Sequence, residues 1–441
     1  MTGHGLILAS PASGHGKTLI AAALARHLRN LGVKVAMAKA GPDFIDPTWH
    51  AVATGRPSLN LDPWGMRPTT LAGLITELEA SADIVLCEGV MGLFDGTGPE
   101  GEVGSTAELA CVTGWPVVLI VDARGQGASV AALVRGFATH RPQLSPAGVI
   151  FNRVASERHR MLLTCAVTRH LPFISCLGGL PYNPASAIPS RHLGLVPAGE
   201  VEVAEGVISH CAARISAAID VDRLLALTRS SVLPAGDPAV ALPALGQRIA
   251  VAQDAAFCFA YPAVLQNWRR QGAELAFFSP LADQPPDSAA DAVYIPGGYP
   301  ELWADRLASA ERFGAGLRSA AAAGKTIYGE CGGYMVLGAA LIDGDGAGHR
   351  MADLLPLVTS FAERRLHLGY RCVTLREDGP LGASRSRLRG HEFHYATVVQ
   401  EGPVESFLAV SDSAGTDLGD CGLRRGSVFG SFIHLIDRCD E

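Results

Sequence analysis

The stretch Leu6-Ile7-Leu8-Ala9-Ser10-Pro11-Ala12-Ser13-Gly14-His15-Gly16-Lys17-Thr18 decides the first half of the fold. A short apolar run leads into a glycine-spaced loop, and an Ala/Leu-rich segment, Lys17–Leu31, follows. That order reads as strand, turn and helix. The phosphate-loop pattern Gly-x-x-x-x-Gly-Lys-Ser/Thr lacks only its first glycine, where Pro11 stands. Gly14 and Gly16 let backbone N–H groups approach a phosphate. Lys17 can reach the outer phosphates of ATP, and the Thr18 hydroxyl can hold Mg²⁺. A glycine-rich βα turn with no ligand is the bland alternative. It is disfavoured because strand, loop and helix are all in register with the motif.

Outward from this loop, strand-like runs (Val33–Ala38, Ile84–Cys87, Val117–Val121, Val149–Phe151) alternate with helix-like ones such as Val130–Thr139. Alternation of this kind predicts βαβ units and a parallel, doubly wound α/β sheet. The pattern breaks at Thr228–Gln247, a stretch with three prolines and two glycines that reads as a linker. A second α/β series then begins with Arg248–Ala252, Glu274–Phe278, Ala292–Ile295 and Thr326–Tyr328. The expected organisation is a doubly wound phosphate-loop domain at 1–228, a linker at 229–247 and a second doubly wound domain at 248–441.

Length agrees with this division, since 441 residues suffice for two to three domains. Hydrophobic residues make up 48% and charged residues 18%, which excludes a disordered chain. A net charge of −7 disfavours nucleic acid or an anionic membrane as partner. The ten cysteines are scattered with no Cys-x-x-Cys pair, which argues against a zinc ribbon or a disulfide scaffold. The apolar start has no basic n-region ahead of it, and no aliphatic run is long enough to span a bilayer. A cytoplasmic location is the expectation.

Two acidic segments follow strand-like runs: Lys39-Ala40-Gly41-Pro42-Asp43-Phe44-Ile45-Asp46-Pro47-Thr48 and Cys87-Glu88-Gly89-Val90-Met91-Gly92-Leu93-Phe94-Asp95-Gly96. Ligands of open parallel sheets bind at the carboxyl ends of strands, so both loops belong near the phosphate loop. Mg²⁺ takes few carboxylates together with phosphate oxygens. Asp46 and Glu88 are therefore the metal candidates, and Asp43 and Asp95 are candidates for positioning or activating a substrate. Each could instead be a capping or turn aspartate.

In the second half, Tyr328-Gly329-Glu330-Cys331-Gly332-Gly333-Tyr334 places a cysteine between small residues at a strand-to-helix turn. This is the pattern of a nucleophile elbow, with a helix start that favours a thiolate. The Gly-Gly turn of Ile295-Pro296-Gly297-Gly298-Tyr299 suits an oxyanion-hole loop. His434, in Gly430-Ser431-Phe432-Ile433-His434, is the candidate base.

The strings GPDFIDPTWH (41–50), CEGVMGLFDG (87–96) and IPSRHLGLVPA (188–198) strongly resemble the cobyrinic acid a,c-diamide synthase family, and the resemblance covers nearly the whole chain. The first half of that family is similar to dethiobiotin synthetase, an ATP-dependent carboxylate-activating enzyme. The resemblance implies Thr18, Asp46 and Glu88 as the Mg²⁺ set and Asn152 as an adenine contact. Ser190 and Arg191, with His192, would help hold an anionic macrocycle. The second half resembles class I glutamine amidotransferases: Cys331 would attack the glutamine amide carbon, and His434 would activate the thiol and protonate ammonia. The usual acid two residues after the histidine is absent, since Ile436 stands there. Gly390-His391-Glu392-Phe393-His394-Tyr395 also resembles a motif of this subtype, without a derivable role.

The implied activity is that of a carbon–nitrogen ligase in cobalamin biosynthesis. It would use Mg·ATP and glutamine to amidate the c and then the a acetate of hydrogenobyrinic or cobyrinic acid through acyl phosphates. Members of the family are often dimers. One rival is amidation of another tetrapyrrole, such as a nickel sirohydrochlorin. A second is a regulatory ATPase with an inactive amidotransferase-like domain, against which the intact Cys331 and His434 argue.

Overall fold

The computed structural model describes residues 3–144, 146–183, 190–191, 194–201, 203–237 and 239–439. Contacts divide the chain into two compact units: residues up to Trp64 with Pro68–Ala239, and Gly65–Arg67 with Val240–Glu441.

The first unit contains strands β1 (His4–Ala9), β2 (Val35–Ala40), β3 (Leu59–Leu61), β4 (Ile84–Glu88), β5 (Val117–Asp122), β6 (Pro146–Val154) and β7 (Ser175–Pro181). They form one sheet in the order β3-β2-β4-β1-β5-β6-β7, and every pairing is parallel. A fully parallel sheet is covered on both faces, so its strands are apolar throughout. Every residue of β2 and β4 is buried, including Lys39 and Glu88. Helix α1 (Lys17–Asn30) packs its Ile20, Leu24 and Leu28 into the core with Leu6, Leu8 and Leu86. The order reverses at β1, because β2 and β4 lie on one side and β5 and β6 on the other. A crevice therefore opens at its carboxyl end, where the phosphate loop begins. A small hairpin pairs β8 (Ser190–Arg191) with β9 (Gly194–Leu195).

The second unit opens with β10 (Arg248–Ala252), β11 (Glu274–Phe278), β12 (Ala292–Ile295) and β13 (Thr326–Glu330), all mutually parallel. It continues through β14 (Ala340–Ile342), β15 (Gly348–Arg350), β16 (Leu357–Ser360), β17 (His367–Leu375), β18 (Arg387–His394) and β19 (Thr397–Glu401). The last strands are β20 (Glu405–Asp412), β21 (Asp417–Arg425), β22 (Val428–Ser431) and β23 (Ile433–Arg438). Ten of these form a sheet in the order β11-β10-β12-β13-β22-β21-β20-β17-β18-β23. Strand β22 is parallel to β13, and from β21 to β23 the pairing is antiparallel.

The unit is thus α/β as expected, but only half of its large sheet is parallel. The antiparallel half was not legible because its strands are half-buried and polar-rich. β17, for example, carries Tyr370, Arg371 and Cys372 at intermediate exposure. Strand β3 has only three residues, and β7 is interrupted by Gly178 and Gly179, so neither has a clear period. No described helix is long and apolar enough to cross a membrane.

Candidate active site

In the first unit, the loop after β1 takes the left-handed backbone at Gly14 (φ 80°) and Gly16 (φ 88°), a region that favours glycine. Gly16 also has no room for a side chain, because a Cβ there would meet the Asn152 amide. Helix α1 starts directly behind Gly16 with no acidic residue of its own in its first turn, so its positive end faces the loop. Lys17 Nζ donates to Ser10 Oγ (2.8 Å) and to the Met91 carbonyl. Met91 presents that carbonyl from a left-handed conformation, φ 45°. Burial pushes the Lys17 amine down to about 8, with the nearby Lys39 charge adding to the effect.

Asp46 and Glu88 of the predicted metal set meet one buried cation, Lys39, and Thr18 reaches Glu88. Thr18 Oγ1 donates to Glu88 Oε1 (2.8 Å), and Lys39 Nζ donates to Asp46, to Glu88 Oε1 (3.3 Å) and to the Gly89 carbonyl (3.1 Å). The other Glu88 oxygen meets His50 Nε2 at 2.6 Å. Burial alone would raise the Glu88 carboxyl. The Lys39 charge and the His50 hydrogen bond outweigh it and hold Glu88 below the usual carboxylate range. Asp46 moves the other way, raised by burial and by the Asp43 and Glu88 charges. Burial likewise opposes charge on Lys39, but Asp46 and Glu88 hold its ammonium above the ordinary value. A hydroxyl and two carboxylates gathered beside a phosphate-type loop are oxygen donors of the kind a hard divalent cation takes, so the residues present fit Mg²⁺.

Asp43 and Asp95 have local work. Asp43 Oδ1 accepts from the Ile45 and Asp46 amides (2.6 and 3.1 Å), and Asp95 Oδ2 accepts from the Gly92 amide (2.8 Å). Both therefore fix the turns that carry Asp46 and Met91. Asn152 Nδ2 donates to the His15 carbonyl (2.8 Å), so its amide is engaged by the phosphate loop itself. Ser190 and Arg191 lie in the β8–β9 hairpin, and their side chains, like His192, fall outside the described residues.

Sequence reasoning missed Lys39, His50 and Arg153. Lys39 is the one charged residue in the strand Val-Ala-Met-Ala-Lys-Ala, which is itself a signal, because a lysine there is buried and must be paired. His50 lies four residues after Asp46 on the helix α2 (Asp46–Thr54), one turn along the same face. Arg153 Nη1 donates to the Gly14 carbonyl (2.8 Å) and pairs with Asp122. Nothing in its local sequence marks that role.

In the second unit, β13 ends at Glu330 and the chain turns through Cys331 into the helix Gly332–Leu337. Cys331 has φ 48° and ψ −106°, the strained backbone of a nucleophile elbow. A Cβ on Gly332 would lie 3.1 Å from the Gly298 amide nitrogen, and one on Gly297 would lie 3.2 Å from Cys331 Cβ and 3.1 Å from His434 Nε2. Gly297 is thus wedged between the cysteine and the histidine, with Gly298 against the elbow. Burial pushes the Cys331 thiol up, with the Glu301 charge next, and this outweighs the Gly332 amide hydrogen bond. The helix start therefore does not by itself make a thiolate, and a base is required.

His434 lies on β23 opposite His391 of β18. His391 is driven down to about 3 by burial and stays neutral. Glu392 accepts from Arg371 Nε (2.7 Å) and lies 2.9 Å from His394 Nε2, whose ring stacks on Phe432 and His367. The motif at 390–395 is in this way tied into the sheet.

Residues 6–196 match the family described as CobQ/CobB/MinD/ParA nucleotide binding domain, and residues 248–440 match the CobB/CobQ-like glutamine amidotransferase domain. Over 98% of its length, the chain is 51% identical to the hydrogenobyrinate a,c-diamide synthase of a Sinorhizobium species, covering 98% of that protein. It is 49% identical to the Rhizobium meliloti protein of the same name, with 98% of this chain and 99% of that one aligned. It is 48% identical to the Rhodobacter capsulatus protein, with 98% of each aligned. With both halves matched and relatives near 50% identity along nearly their whole length, the chain belongs to the hydrogenobyrinate a,c-diamide synthase family.

Proposed function

We propose that the chain converts the a and c acetate carboxylates of hydrogenobyrinic or cobyrinic acid to amides, at the cost of ATP and glutamine, in cobalamin biosynthesis. The observation that carries this reading is the gathering of Lys17, Thr18, Asp46 and Glu88 at the carboxyl ends of β1, β2 and β4. Such a cluster suits phosphoryl transfer to a carboxylate.

Lys17 exchanges Ser10 and the Met91 carbonyl for the transferred phosphoryl oxygens. Thr18, Asp46 and Glu88 would hold Mg²⁺, which supplies charge neutralisation on the phosphates. The substrate carboxylate takes the γ-phosphoryl group, ammonia attacks the resulting acyl phosphate, and phosphate leaves. Asp43 and Asp95 shape the loops beside the acceptor, Asn152 braces the loop next to the adenine, and the Ser190–Arg191 hairpin contributes to holding the macrocycle.

In the second unit, Cys331 Sγ attacks the glutamine amide carbon, and His434 takes the thiol proton and returns it to departing ammonia. Water then releases glutamate from the thioester. The Gly297 and Gly298 amides are the proposed oxyanion donors. A cytoplasmic homodimer is the proposed setting.

Purified protein given each corrinoid with ATP, Mg²⁺ and glutamine should yield the diamide by mass spectrometry. ATP turnover with neither corrinoid amidated would instead favour the regulatory ATPase, and amidation of a nickel sirohydrochlorin alone would favour the other rival.

A further inference from the structure

The acid usually found two residues after the histidine is replaced by Ile436, which is buried. Asp437, one position further, accepts from the Arg67 backbone amide (2.8 Å) and pairs with the Arg67 guanidinium (2.9 Å). Another carboxylate reaches the histidine from a different strand. Glu330, the residue before Cys331, is 3% exposed, and its Oε2 lies 3.5 Å from His434 Nδ1.

Glu330 is held from three sides. Tyr294 Oη donates to Oε2 (2.8 Å), Tyr328 Oη donates to Oε1 (2.8 Å), and the amide of Leu435, next to His434, donates to Oε1 (3.2 Å). The two tyrosine rings stack at 5.8 Å. Burial, followed by the Glu330 charge, keeps both phenols protonated and therefore donors. The parallel pairing of Glu330 with Ser431 across β13 and β22 brings the carboxylate to the chain just ahead of His434.

We propose that Glu330 is the positioning residue for His434, in the place of the missing acid. This rests on the reading of Cys331 and His434 as the glutamine-hydrolysing pair. Its Oε2 is placed to accept a hydrogen bond from Nδ1–H, which keeps that proton on Nδ1 and leaves Nε2, the nitrogen beside Gly297, as the base toward the thiol. When His434 becomes imidazolium, the buried carboxylate offsets its charge at short range. The acid thus comes from the residue before the nucleophile, and one strand end fixes both members of the pair. Two other carboxylates near β23 among the described residues are committed elsewhere: Glu392 to Arg371 and His394, and Asp437 to Arg67.

The test measures glutamine hydrolysis in the full chain. Glu330→Gln should lower kcat by about 10²–10³-fold while KM for glutamine changes little, and ammonia-dependent amidation should persist. Glu330→Asp should recover part of kcat. If Glu330→Gln misfolds, Tyr328→Phe and Tyr294→Phe decide: each loosens the carboxylate and should lower kcat at unchanged KM, with a larger loss in the double variant. A kcat within threefold of the parent in folded Glu330→Gln, or in the double tyrosine variant, overturns the proposal. Cys331→Ala run alongside separates the two readings. If it still hydrolyses glutamine, the Cys331–His434 reading itself fails. If it is dead while Glu330→Gln is unimpaired, only the role of Glu330 fails.

Discussion

Lys39 and Glu88 are direct register partners across β2 and β4, and Lys39 Nζ lies 3.3 Å from Glu88 Oε1 while also holding Asp46. One buried ammonium therefore offsets the buried Glu88 carboxylate and the partly buried Asp46 carboxylate. Removing one member of such a group is costly because the remaining charges stay desolvated, on the order of 3–5 kcal/mol for a buried pair. Lys39→Met should lower unfolding free energy by about that amount in urea titrations and abolish amidation from either nitrogen source. Adding Asp46→Asn to it should restore part of the stability but not the activity. A Lys39→Met protein as stable as the parent would contradict this arrangement.

The same geometry predicts a graded metal response. Asp46→Asn removes one carboxylate, whereas Glu88→Gln also disturbs Thr18 and His50. Both should raise the Mg²⁺ concentration needed for half-maximal amidation by at least roughly tenfold, with Glu88→Gln the more severe. Mg²⁺ titration of each variant with ammonia as nitrogen source reads this directly. An unchanged requirement in both would remove them from the metal set.

Asp95 should behave as a loop residue. Its Oδ2 accepts from the Gly92 amide, and that turn aims the Met91 carbonyl at Lys17. An asparagine can still accept, so Asp95→Asn should keep ATP affinity and the mono- to diamide ratio within about threefold. Asp95→Ala should weaken ATP binding, by about 1 kcal/mol for one lost hydrogen bond. A shift toward monoamide in Asp95→Asn would instead mark it as an acceptor-positioning acid.

What could be read from the sequence followed the physics of each segment. The phosphate loop and the Cys331 elbow were legible because glycines and a nucleophile at a strand-to-helix turn leave few alternatives. Asp46 and Glu88 were legible as candidates because the ends of parallel strands and the loops that follow them open onto a ligand crevice. The partners of Lys39 were hidden because they lie 7 and 49 residues away. Glu330 was hidden because only the parallel pairing of β13 with β22 brings it near His434. The antiparallel half of the second unit was hidden because its strands alternate weakly.

The cysteines differ in reactivity by environment. Cys439 Sγ lies 3.5 Å from Cys372 Sγ, within hydrogen-bonding reach, and the Arg387 guanidinium donates to Cys372 Sγ at 3.4 Å. The hydrogen bond first, then Arg387, lowers the Cys372 thiol to about 6. Thiolate, and hence alkylation by iodoacetamide, should rise as pH increases through that value and level off above it. At pH 7 Cys372 should label ahead of Cys87 and Cys421, whose thiols burial pushes up to about 12. Peptide mapping after brief labelling at pH 5, 6 and 7 checks the order, and Cys439→Ala or Arg387→Ala should shift the rise to higher pH.

Gly297 offers the sharpest separation of the two activities. A methyl group there would press on the His434 ring and sit 3.2 Å from Cys331 Cβ, so the pair could not keep its spacing. Misplacing a base and nucleophile by about 1 Å costs on the order of 10²-fold in rate. Gly297→Ala should therefore lose glutamine-dependent amidation by at least that factor and retain ammonia-dependent amidation. Cys331→Ala should show the same split more completely. Lys17→Ala should abolish both, because the phosphoryl clamp serves either nitrogen source. Product mass spectrometry with glutamine and with ammonium chloride measures all three. Gly297→Ala with full glutamine-dependent activity would place the cysteine and histidine farther apart in the working enzyme than the wedge allows.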